Sequence, residues 1–456
     1  MTDATTDSIR SHVAGDRERI FQDLSEVCSF NSVHNEPGLE QDCAQARDWV
    51  VSALESAGLE VEQYPTSDGS TTVIGTRDVS ENAPTVLLYS HYDVVPVGDR
   101  DAWISDPLTL TEREGRWYAR GAADCKGNLV MHLAALRAVE AAGGPSVNLT
   151  VLIEGSEERG GAGLDNLISE RPELFAADVI LIADTGNAAV GEPTLTTSLR
   201  GGAQVDITVN TLKTPVHSGS FGGGAPDAVA ALIRALDSLR DDAGRTVIDG
   251  VDTTGVWSGE AYDVDTFRTD ASVLDGVELV GTEDDKIADL VWARPAVTVT
   301  GFTSTPVAES LNAVPATASA RINLRVPVGL DPQDTADKLA AHLKAHVPFN
   351  AQVETNVFDV NPHFSTDTEG ESTQLLTQCL AEAYGLEGAE KVGFIGSGAS
   401  IPLTAVLQSA HPNAAIALYG VEEPLATIHS PNESVDPEEI VSIAAAEALF
   451  LLRFGK

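Results

Sequence analysis

The chain is poor in basic residues and has no long apolar run. It carries 28 lysines and arginines against 69 aspartates and glutamates, which gives a formal net charge of −41. That surplus of negative charge argues against nucleic acid or an anionic membrane as a partner. No apolar run reaches the roughly 18–20 residues that span a bilayer, and the N-terminus lacks the basic and apolar regions of a signal peptide. We therefore predict a cytoplasmic location.

Cysteine is also scarce. The four cysteines, Cys28, Cys43, Cys125 and Cys379, are widely spread and form no CxxC pair. This excludes a disulfide scaffold and is typical of buried, small apolar side chains. Phosphate-binding motifs are absent as well, because the glycines at 222–224 lack a GxGxxG or Walker pattern. We interpret that glycine run as a hinge or a loop beside a substrate.

A chain of 456 residues is too long for one compact core, so two domains are expected. Up to about residue 199, predicted helices alternate with apolar strands at 85–90, 147–154 and 178–184. This alternation predicts an α/β sheet with helices on both faces.

A different pattern begins near residue 200. A strand and a helix come first, then an acidic irregular stretch at about 241–295, then two strands, a helix and a strand. That order predicts a small ferredoxin-like α+β domain. Helices and a strand typical of the first domain return after residue 360. The predicted fold is a discontinuous α/β domain, 1–199 and 361–456, with a smaller domain inserted at 200–360.

Polar side chains follow the strands of the larger domain, where ligands collect in α/β sheets. The strand-end residues are His91, Asp93, Glu157, Glu158 and Asp184, and two further candidates in loops are Asp124 and His429. Zinc or cobalt accepts such a mixture of imidazole and carboxylate, and two ions can share one carboxylate and a water. One glutamate of the adjacent pair can then bind metal while the other takes the proton of the water.

Each of these residues also has an ordinary structural interpretation. A single strand-end aspartate such as Asp184 more often caps a helix or forms a turn than binds a metal. An isolated pair of glutamates is usually a solvated turn. The functional interpretation depends on finding all of these groups together.

The same residues lie in five short motifs along the chain: SHYDVVP, RGAADCKGN, EGSEERG, the aspartate that ends DVILIAD, and IHSPNES. In this order they resemble the M20 family of metallopeptidases, and within it the carnosinase-like dipeptidases. The resemblance covers essentially the whole chain. It implies a peptide substrate and two divalent ions, with zinc expected first and cobalt or manganese as alternatives. It also implies that a metal-bridged water hydrolyses the peptide bond of a dipeptide.

The resemblance assigns roles to individual residues. It implies five metal ligands: His91, Asp124, Glu158, Asp184 and His429. Asp124 would bridge the two ions, Glu157 would be the general base, and Asp93 would orient His91. A cis peptide bond is implied between Asp124 and Cys125. Cys125 departs from the aspartate or asparagine that is frequent in the family, and because that side chain is not a ligand in the family pattern, the ligand set is expected to stand.

The inserted domain resembles the lid of this family, which mediates homodimerisation. Its TPVHSGSFGGGAP segment matches a family loop, and His217 would reach the partner's active site to stabilise the oxyanion. Arg325, Ser400 and Asn312 would bind the substrate, with Arg325 holding its carboxylate as a bidentate fork. Arg325 could equally be an ion-pair partner within the lid sheet.

Two other functions remain open on the sequence. An enzyme of the same architecture could remove acyl groups from N-acyl amino acids or succinylated diamines, since the metal chemistry is identical. The stretch at 241–295, with its LVWARP segment, resembles the dipeptidase branch and favours a peptide substrate. The third alternative is a metal-stabilised dimer that binds peptides without cleaving them, which the intact ligand set and base disfavour.

Overall fold

The computed structural model describes residues 2–398 and 401–456. Within this part of the chain the helices are α1 (Thr2–Gly15), α2 (Arg17–Cys28), α3 (Glu40–Ser56), α4 (Lys126–Ala141), α5 (Ala162–Glu170), α6 (Ser218–Phe221), α7 (Ala228–Asp237), α8 (Val264–Asp270), α9 (Pro332–His346), α10 (Glu371–Ala383), α11 (Pro402–Ala410) and α12 (Pro437–Arg453). The strands are β1 (Glu60–Pro65), β2 (Thr71–Arg77), β3 (Thr85–His91), β4 (Thr111–Arg113), β5 (Arg116–Tyr118), β6 (Asn148–Glu154), β7 (Val179–Ala183), β8 (Thr194–Leu199), β9 (Gly201–Asn210), β10 (Val216–His217), β11 (Ala296–Thr303), β12 (Ala313–Val314), β13 (Thr317–Val326), β14 (Gln352–Asn361), β15 (Phe364–Ser365), β16 (Gly393–Ser397), β17 (Ala415–Tyr419) and β18 (Ser434–Val435).

The first of two compact units comprises the residues through Thr197, Thr366–Ile395 and Pro402–Lys456. Its main sheet runs in the order β1-β2-β6-β3-β7-β17-β8. The neighbours from β6 to β17 are parallel, and β2 and β8 join them antiparallel. Parallel strands have both faces covered, and β3, β6 and β7 are accordingly buried along almost their whole length. The predicted α/β architecture is confirmed.

Helices α4 and α12 pack against each other in the core of this unit. Both are apolar on nearly every side, as expected of helices that are enclosed rather than laid on a surface. The side chain of His132 on α4 is fully buried, with Nδ1 2.7 Å from Glu447 Oε2 of α12 and Nε2 3.1 Å from the carbonyl oxygen of Tyr89. Tyr419 donates a hydrogen bond to the same oxygen of Glu447. These contacts join α4, α12, β3 and β17.

The second unit comprises Ser198–Ser365 and the described part of Gly396–Ile401. Its elements follow the order β9, α7, β11, β13, α9, β14, and the antiparallel sheet runs β11-β13-β9-β14. This is the ferredoxin-like arrangement that the sequence pattern predicts. The helices α7 and α9 pack on the sheet. Each begins at a capping aspartate, Asp227 or Asp331, whose side chain accepts hydrogen bonds from backbone N–H groups of the first turn.

The acidic stretch at 241–295 contains more structure than its composition predicts. It includes α8 and a π-helical turn at Asp289–Ala293. Aromatic rings bring its ends together, because Trp292 packs on both Trp257 and Tyr262 with 5.3 Å between ring centroids. Packing of aromatic rings thus orders a segment that lacks helical or strand periodicity.

The chain passes from the first unit to the second after Thr197 and returns after Ser365. The sequence predicts borders at 199/200 and 360/361, and the catalytic and lid roles given to the two domains stay a prediction. Among the described residues, none of the helices is both long enough and apolar enough to cross a bilayer. The four cysteines are free, and three of them, Cys28, Cys125 and Cys379, are buried.

Candidate metal centre

The carboxyl ends of three neighbouring parallel strands carry the predicted polar residues. His91 is the last residue of β3, Asp184 directly follows β7, and Glu157 begins a short 3₁₀ turn, Glu157–Arg159, that follows β6. Since β3 lies between β6 and β7, these side chains meet at one edge of the sheet. The position is fixed by strand order, which brings together residues far apart in the sequence.

Two groups of potential metal ligands meet at this edge and share one residue. The first contains His91, Asp124, Cys125 and Asp184, and the second contains Asp124, Glu158 and His429. His91 Nε2 lies 3.1 Å from Asp124 Oδ1 and 3.3 Å from Asp184 Oδ1. His429 Nε2 lies 3.0 Å from Asp124 Oδ2 and 3.1 Å from Glu158 Oε2. The two oxygens of Asp124 therefore face different groups, which is the geometry of a bridging carboxylate.

The chemistry of these donors fits a pair of divalent ions. Imidazole nitrogens and carboxylate oxygens are the ligands that zinc and related ions accept. Glu158 Oε1 is buried and has no hydrogen-bond partner among the described residues, although a buried carboxylate oxygen normally has one. A cation at the second group would satisfy it. His91, Asp124 and Asp184 are the matching donors of the first group.

The charges at this edge are strongly coupled. Hydrogen bonds to Asp124 and Glu158 raise the pKa of His429 to about 10. Burial would raise the pKa of Asp124, but hydrogen bonds from His429 and His91 lower it. Burial and the negative charge of Asp184 raise the pKa of the Glu157 carboxyl well above its usual range. So many carboxylates in one buried place require compensating positive charge.

Glu157 lies beside the first group without belonging to either. Its Oε2 is 3.9 Å from His91 Nε2, and its side chain is 25% exposed against 6% for Glu158. The adjacent residues therefore differ in surroundings: Glu158 meets His429, whereas Glu157 faces His91 with part of its carboxylate open to solvent. That position suits a base better than a ligand.

Asp93 fixes the backbone that carries both glutamates. Its Oδ1 accepts a hydrogen bond from the Glu157 N–H and its Oδ2 from the Glu158 N–H, each at 3.1 Å. His91 Nδ1 lies 3.4 Å from Asp93 Oδ1 and 3.1 Å from the Asp93 carbonyl oxygen. One buried carboxylate thus holds the start of the 3₁₀ turn and also faces the ring of His91.

Glu433 and Arg120 hold the loop that carries Asp124, and sequence reasoning missed both. Glu433 is fully buried and accepts hydrogen bonds from the backbone N–H groups of Gly121, Ala123 and Asp124, each at 3.1 Å. Its Oε2 also lies 2.5 Å from Arg120 Nη1. The signal was present, because Arg120 and Glu433 belong to the quoted motifs RGAADCKGN and IHSPNES. The interpretation of these motifs assigns metal binding to Asp124 and His429 and gives Arg120 and Glu433 no role.

Two motif glycines are required by close packing. A Cβ on Gly155 would lie 2.2 Å from the hydroxyl of Tyr92, and one on Gly127 would lie 2.2 Å from the carbonyl oxygen of Ala122. Both distances are far inside van der Waals contact. The glycines of EGSEERG and DCKGN therefore let the site loops approach their neighbours.

Cys125 has a more specific environment than the sequence predicts. The peptide bond that joins it to Asp124 is cis, which confirms the implied geometry. Its thiol is buried, donates to the carbonyl oxygen of Ala183 at 3.1 Å, and lies within the first group of donors. Burial raises the pKa of this thiol.

The remaining predicted residues belong to the second unit or lie outside the described residues. His217 is exposed at the end of β10, and the carbonyl oxygen of Asn312 accepts a hydrogen bond from the next residue, Ser218, at 2.9 Å. His217 and Asn312 are therefore neighbours on the two-stranded ribbon of β10 and β12. Arg325 lies on β13 opposite Gly202 of β9. Ser400 lies outside the described residues.

The chain is similar to known dipeptidases in sequence and in fold. A curated relative from Corynebacterium striatum, named cysteinylglycine-S-conjugate dipeptidase, is 53% identical over 455 residues, covering 100% of this chain and 99% of its own. The solved structure of human carnosine dipeptidase 1 superposes with a TM-score of 0.77 at 21% identity, over 98% of each chain. The dipeptidase Dug1p from Saccharomyces cerevisiae superposes with a TM-score of 0.76 at 22% identity, also over 98% of each chain.

The model of one peptidase family matches most of the chain, from residue 87 to residue 453. The matched range covers every predicted metal ligand and the predicted lid segment. It confirms the family resemblance read from the five motifs. The chain belongs to peptidase family M20/M25/M40.

Proposed function

We propose that this protein is a metal-dependent dipeptidase. The observation that carries the proposal is the pair of donor groups that share Asp124, with Glu157 beside them as a free carboxylate. Family membership and the dipeptidases among the relatives support the same class of reaction.

The proposed ligands are His91, Asp124 and Asp184 for one ion and Asp124, Glu158 and His429 for the other. We expect zinc first, with cobalt or manganese as alternatives. When bound, two such ions supply Lewis acidity for the substrate carbonyl and lower the pKa of a water. Glu157 takes the proton of the attacking water and returns it to the leaving amine. Asp93 keeps Glu157 and Glu158 in place through their backbone N–H groups.

The substrate that we propose is a dipeptide with a free C-terminal carboxylate. Arg325, with Ser400, would bind that carboxylate, because guanidinium pairs with it in a bidentate manner. Asn312 would contact the substrate as well. The name of the Corynebacterium relative makes cysteinylglycine and its S-substituted forms the first substrates to test. The human relative makes carnosine the second.

A panel of substrates and metals tests this function. Purified protein, stripped of metal and reloaded with Zn²⁺, Co²⁺ or Mn²⁺, is assayed with cysteinylglycine, an S-substituted cysteinylglycine, carnosine, an N-acetyl amino acid and a succinylated diamine. We expect hydrolysis of at least one dipeptide and none after chelation. Hydrolysis confined to the acylated compounds would favour the deacylase alternative. Binding of dipeptides without turnover under any metal would favour the non-catalytic alternative.

We further propose that the protein is a cytoplasmic homodimer in which His217 completes the site of the partner chain. His217 is exposed on the β10–β12 ribbon, where its ring is available to a group outside its own ribbon. An imidazole there could donate a hydrogen bond to the oxyanion of the transition state.

Mixing two inactive variants tests the contribution across the dimer. His217→Ala and Glu157→Gln each remove a different part of the machinery, so a mixed dimer would have one intact site. We expect co-refolded mixtures to recover up to about one quarter of wild-type turnover, since half of the dimers are mixed and each has one working site. Mixtures as inactive as the separate variants, in a protein that sedimentation shows to be dimeric, would contradict the proposal.

A further inference from the structure

A second cluster of metal-type side chains lies in the second unit, at the C-terminal end of α9. His342 and His346 are one helical turn apart, and Asp249 approaches both from a neighbouring loop. Asp249 Oδ2 lies 2.8 Å from His346 Nε2 and 3.3 Å from His342 Nδ1. The two imidazole rings are stacked, with 4.1 Å between their centroids. The proposed catalytic centre does not involve these residues.

The spacing of the donor atoms fits a small divalent ion. Ligands at 2.0–2.1 Å around a tetrahedral zinc ion are separated from one another by about 3.3 Å. The distance from Asp249 Oδ2 to His342 Nδ1 equals this value at 3.3 Å, the distance to His346 Nε2 is shorter at 2.8 Å, and all three donor atoms lie within 4.8 Å of one another. Histidines at positions i and i+4 project from the same face of a helix. Because imidazole lone pairs lie in the ring planes and the rings are stacked, an ion can take one nitrogen from each ring and one oxygen from Asp249 once the partly exposed ring of His346 rotates.

Hydrogen bonds hold the ring of His342 in the orientation that metal binding needs. Its Nε2 lies 3.0 Å from the hydroxyl oxygen of Ser238, and its Nδ1 accepts a hydrogen bond from the Asp249 N–H at 3.0 Å. The proton is therefore on Nε2, and the lone pair of Nδ1 points toward Asp249. Metal-bound histidines are commonly oriented in this way by a partner on the other nitrogen. Binding an ion at Nδ1 would replace the hydrogen bond from the Asp249 N–H.

The protonation state of His342 also suits a metal ligand. Burial and the neighbouring charge of His346 lower the pKa of His342, so its imidazole is neutral at physiological pH. A neutral imidazole is the form that binds a metal. His342 is 2% exposed, whereas the side chains of Asp249 and His346 are 60% and 39% exposed, which leaves room for water as further ligands.

We propose that Asp249, His342 and His346 form a divalent transition-metal site in the second unit, separate from the catalytic pair. Two nitrogens and one carboxylate oxygen are the ligand set that zinc accepts, with water in the remaining positions. The bound ion links the loop at Asp249, near the start of the acidic stretch, to the last turn of α9. Its role is structural, because no substrate-binding residue belongs to the cluster.

Counting ions per chain tests the site. Full-length protein is dialysed against micromolar free Zn²⁺, and zinc is measured by mass spectrometry for wild type, His346→Asn and Asp249→Asn. We expect each variant to hold one ion fewer than wild type while keeping its dipeptidase activity. The matched control is Asp252→Asn, which removes an exposed carboxylate of the same loop that bonds only Thr254 among the described residues. It should hold as many ions as wild type.

The test depends on the difference in zinc content per chain between wild type and each variant. If the catalytic centre did not bind zinc, the zinc content of wild type and of the three variants would be lower by the same number of ions. Wild type would still hold one ion more than His346→Asn or Asp249→Asn. Equal zinc content in wild type and His346→Asn would overturn the proposal, as would an equal loss in Asp252→Asn and Asp249→Asn. Both histidine and aspartate variants change exposed side chains, and circular dichroism verifies that they fold.

Discussion

At the scale of single residues, the adjacent glutamates are separated by their surroundings. Glu158 is enclosed and meets His429 at 3.1 Å, whereas Glu157 is partly open to solvent. The same carboxylate, Asp93, holds the backbone of both residues. The two side chains can therefore have different functions although Asp93 holds the backbone N–H groups of both residues in the same way.

Replacing each glutamate by glutamine separates the two functions. Glu157→Gln should keep both ions and lose turnover by about 10²-fold or more, because the general base is gone. Glu158→Gln should lose an ion, because a carboxylate ligand becomes a neutral amide. Metal content by mass spectrometry and kcat by peptide hydrolysis measure the two effects. A Glu157→Gln protein that keeps its ions and its turnover would refute the assigned base.

Glu433 gives a second prediction at this scale. Glu433→Gln cannot accept all of the hydrogen bonds from the loop of Asp124 and leaves Arg120 without its carboxylate. We expect metal affinity to fall by about 10–100-fold, the usual effect of losing a group that orients a ligand. Competition with a chelator measures it. Glu423→Gln, which breaks another buried pair with Arg116, is the control and should leave metal affinity nearly unchanged.

The residues of the two donor groups could be predicted from the sequence because they lie in recognisable motifs, with His91 and Asp184 at strand ends. Glu433 and Arg120 could not, because their role depends on a contact across more than three hundred residues of sequence. The sequence presents Cys125 as a neutral departure from the family pattern, and only the fold places its thiol among the donors of the first group. Such relations arise from tertiary contacts that local patterns do not contain.

At the scale of elements, the packing of α4 against α12 contains a buried polar network. His132, Tyr419 and Glu447 are enclosed, and the side chains of His132 and Tyr419 both contact Oε2 of Glu447, whose buried Oε1 has no hydrogen-bond partner among the described residues. Networks of this kind stabilise a core only while every member keeps its partners. They also fix one relative position of the helices, because a shift along the axis would separate the donors from the acceptors.

Removing the carboxylate of Glu447 should destabilise the first unit. Glu447→Ala leaves His132 and Tyr419 without their acceptor and creates a cavity, at a cost of about 3 kcal/mol or more. We expect the thermal midpoint to fall by roughly 5–10 °C in calorimetry. Glu438→Ala, on the exposed side of the same helix and paired with Arg17, should change it by less than about 2 °C. Similar shifts for both variants would contradict the importance of the network.

Strongly apolar elements could be predicted well from the sequence. The predicted strands at 85–90 and 147–154 correspond to β3 and β6, which are buried along their length. The sequence does not predict the hairpin of β1 and β2, and the burial pattern of β1 explains why. Its residues are exposed or half-buried throughout, since it is the edge strand, so it lacks the apolar alternation that identifies a strand.

At the scale of the whole molecule, charge is the dominant feature. A net charge of −41 in a folded chain produces self-repulsion that opposes compactness. Local ion pairs such as those of Arg294 with Asp285 and Asp289 reduce the repulsion within the acidic stretch. They involve only part of the 69 acidic side chains.

Screening by salt should therefore stabilise the protein. Raising sodium chloride from about 0.05 M to about 1 M shortens the Debye length from more than 10 Å to about 3 Å, which weakens repulsion between surface carboxylates. We expect the thermal midpoint to rise by several degrees. Glycerol at the same osmolality provides the control for effects unrelated to charge. A midpoint that falls with salt would mean that attractive surface pairs outweigh the repulsion.

The route of the chain between the two units has an evolutionary consequence. Thr197 and Thr366, where the chain leaves and re-enters the first unit, are joined by a backbone hydrogen bond of 2.9 Å, and the next residues pair in register, Ser198 with Ser365 and Leu199 with Phe364. Exit and entry thus form the two strands of a hairpin whose tip has been expanded into a folded module. A gene encoding the first unit could gain or exchange most of such a module at this turn, leaving the strands around the two donor groups in place, while the described part of Gly396–Ile401 joins the second unit from a separate position in the chain.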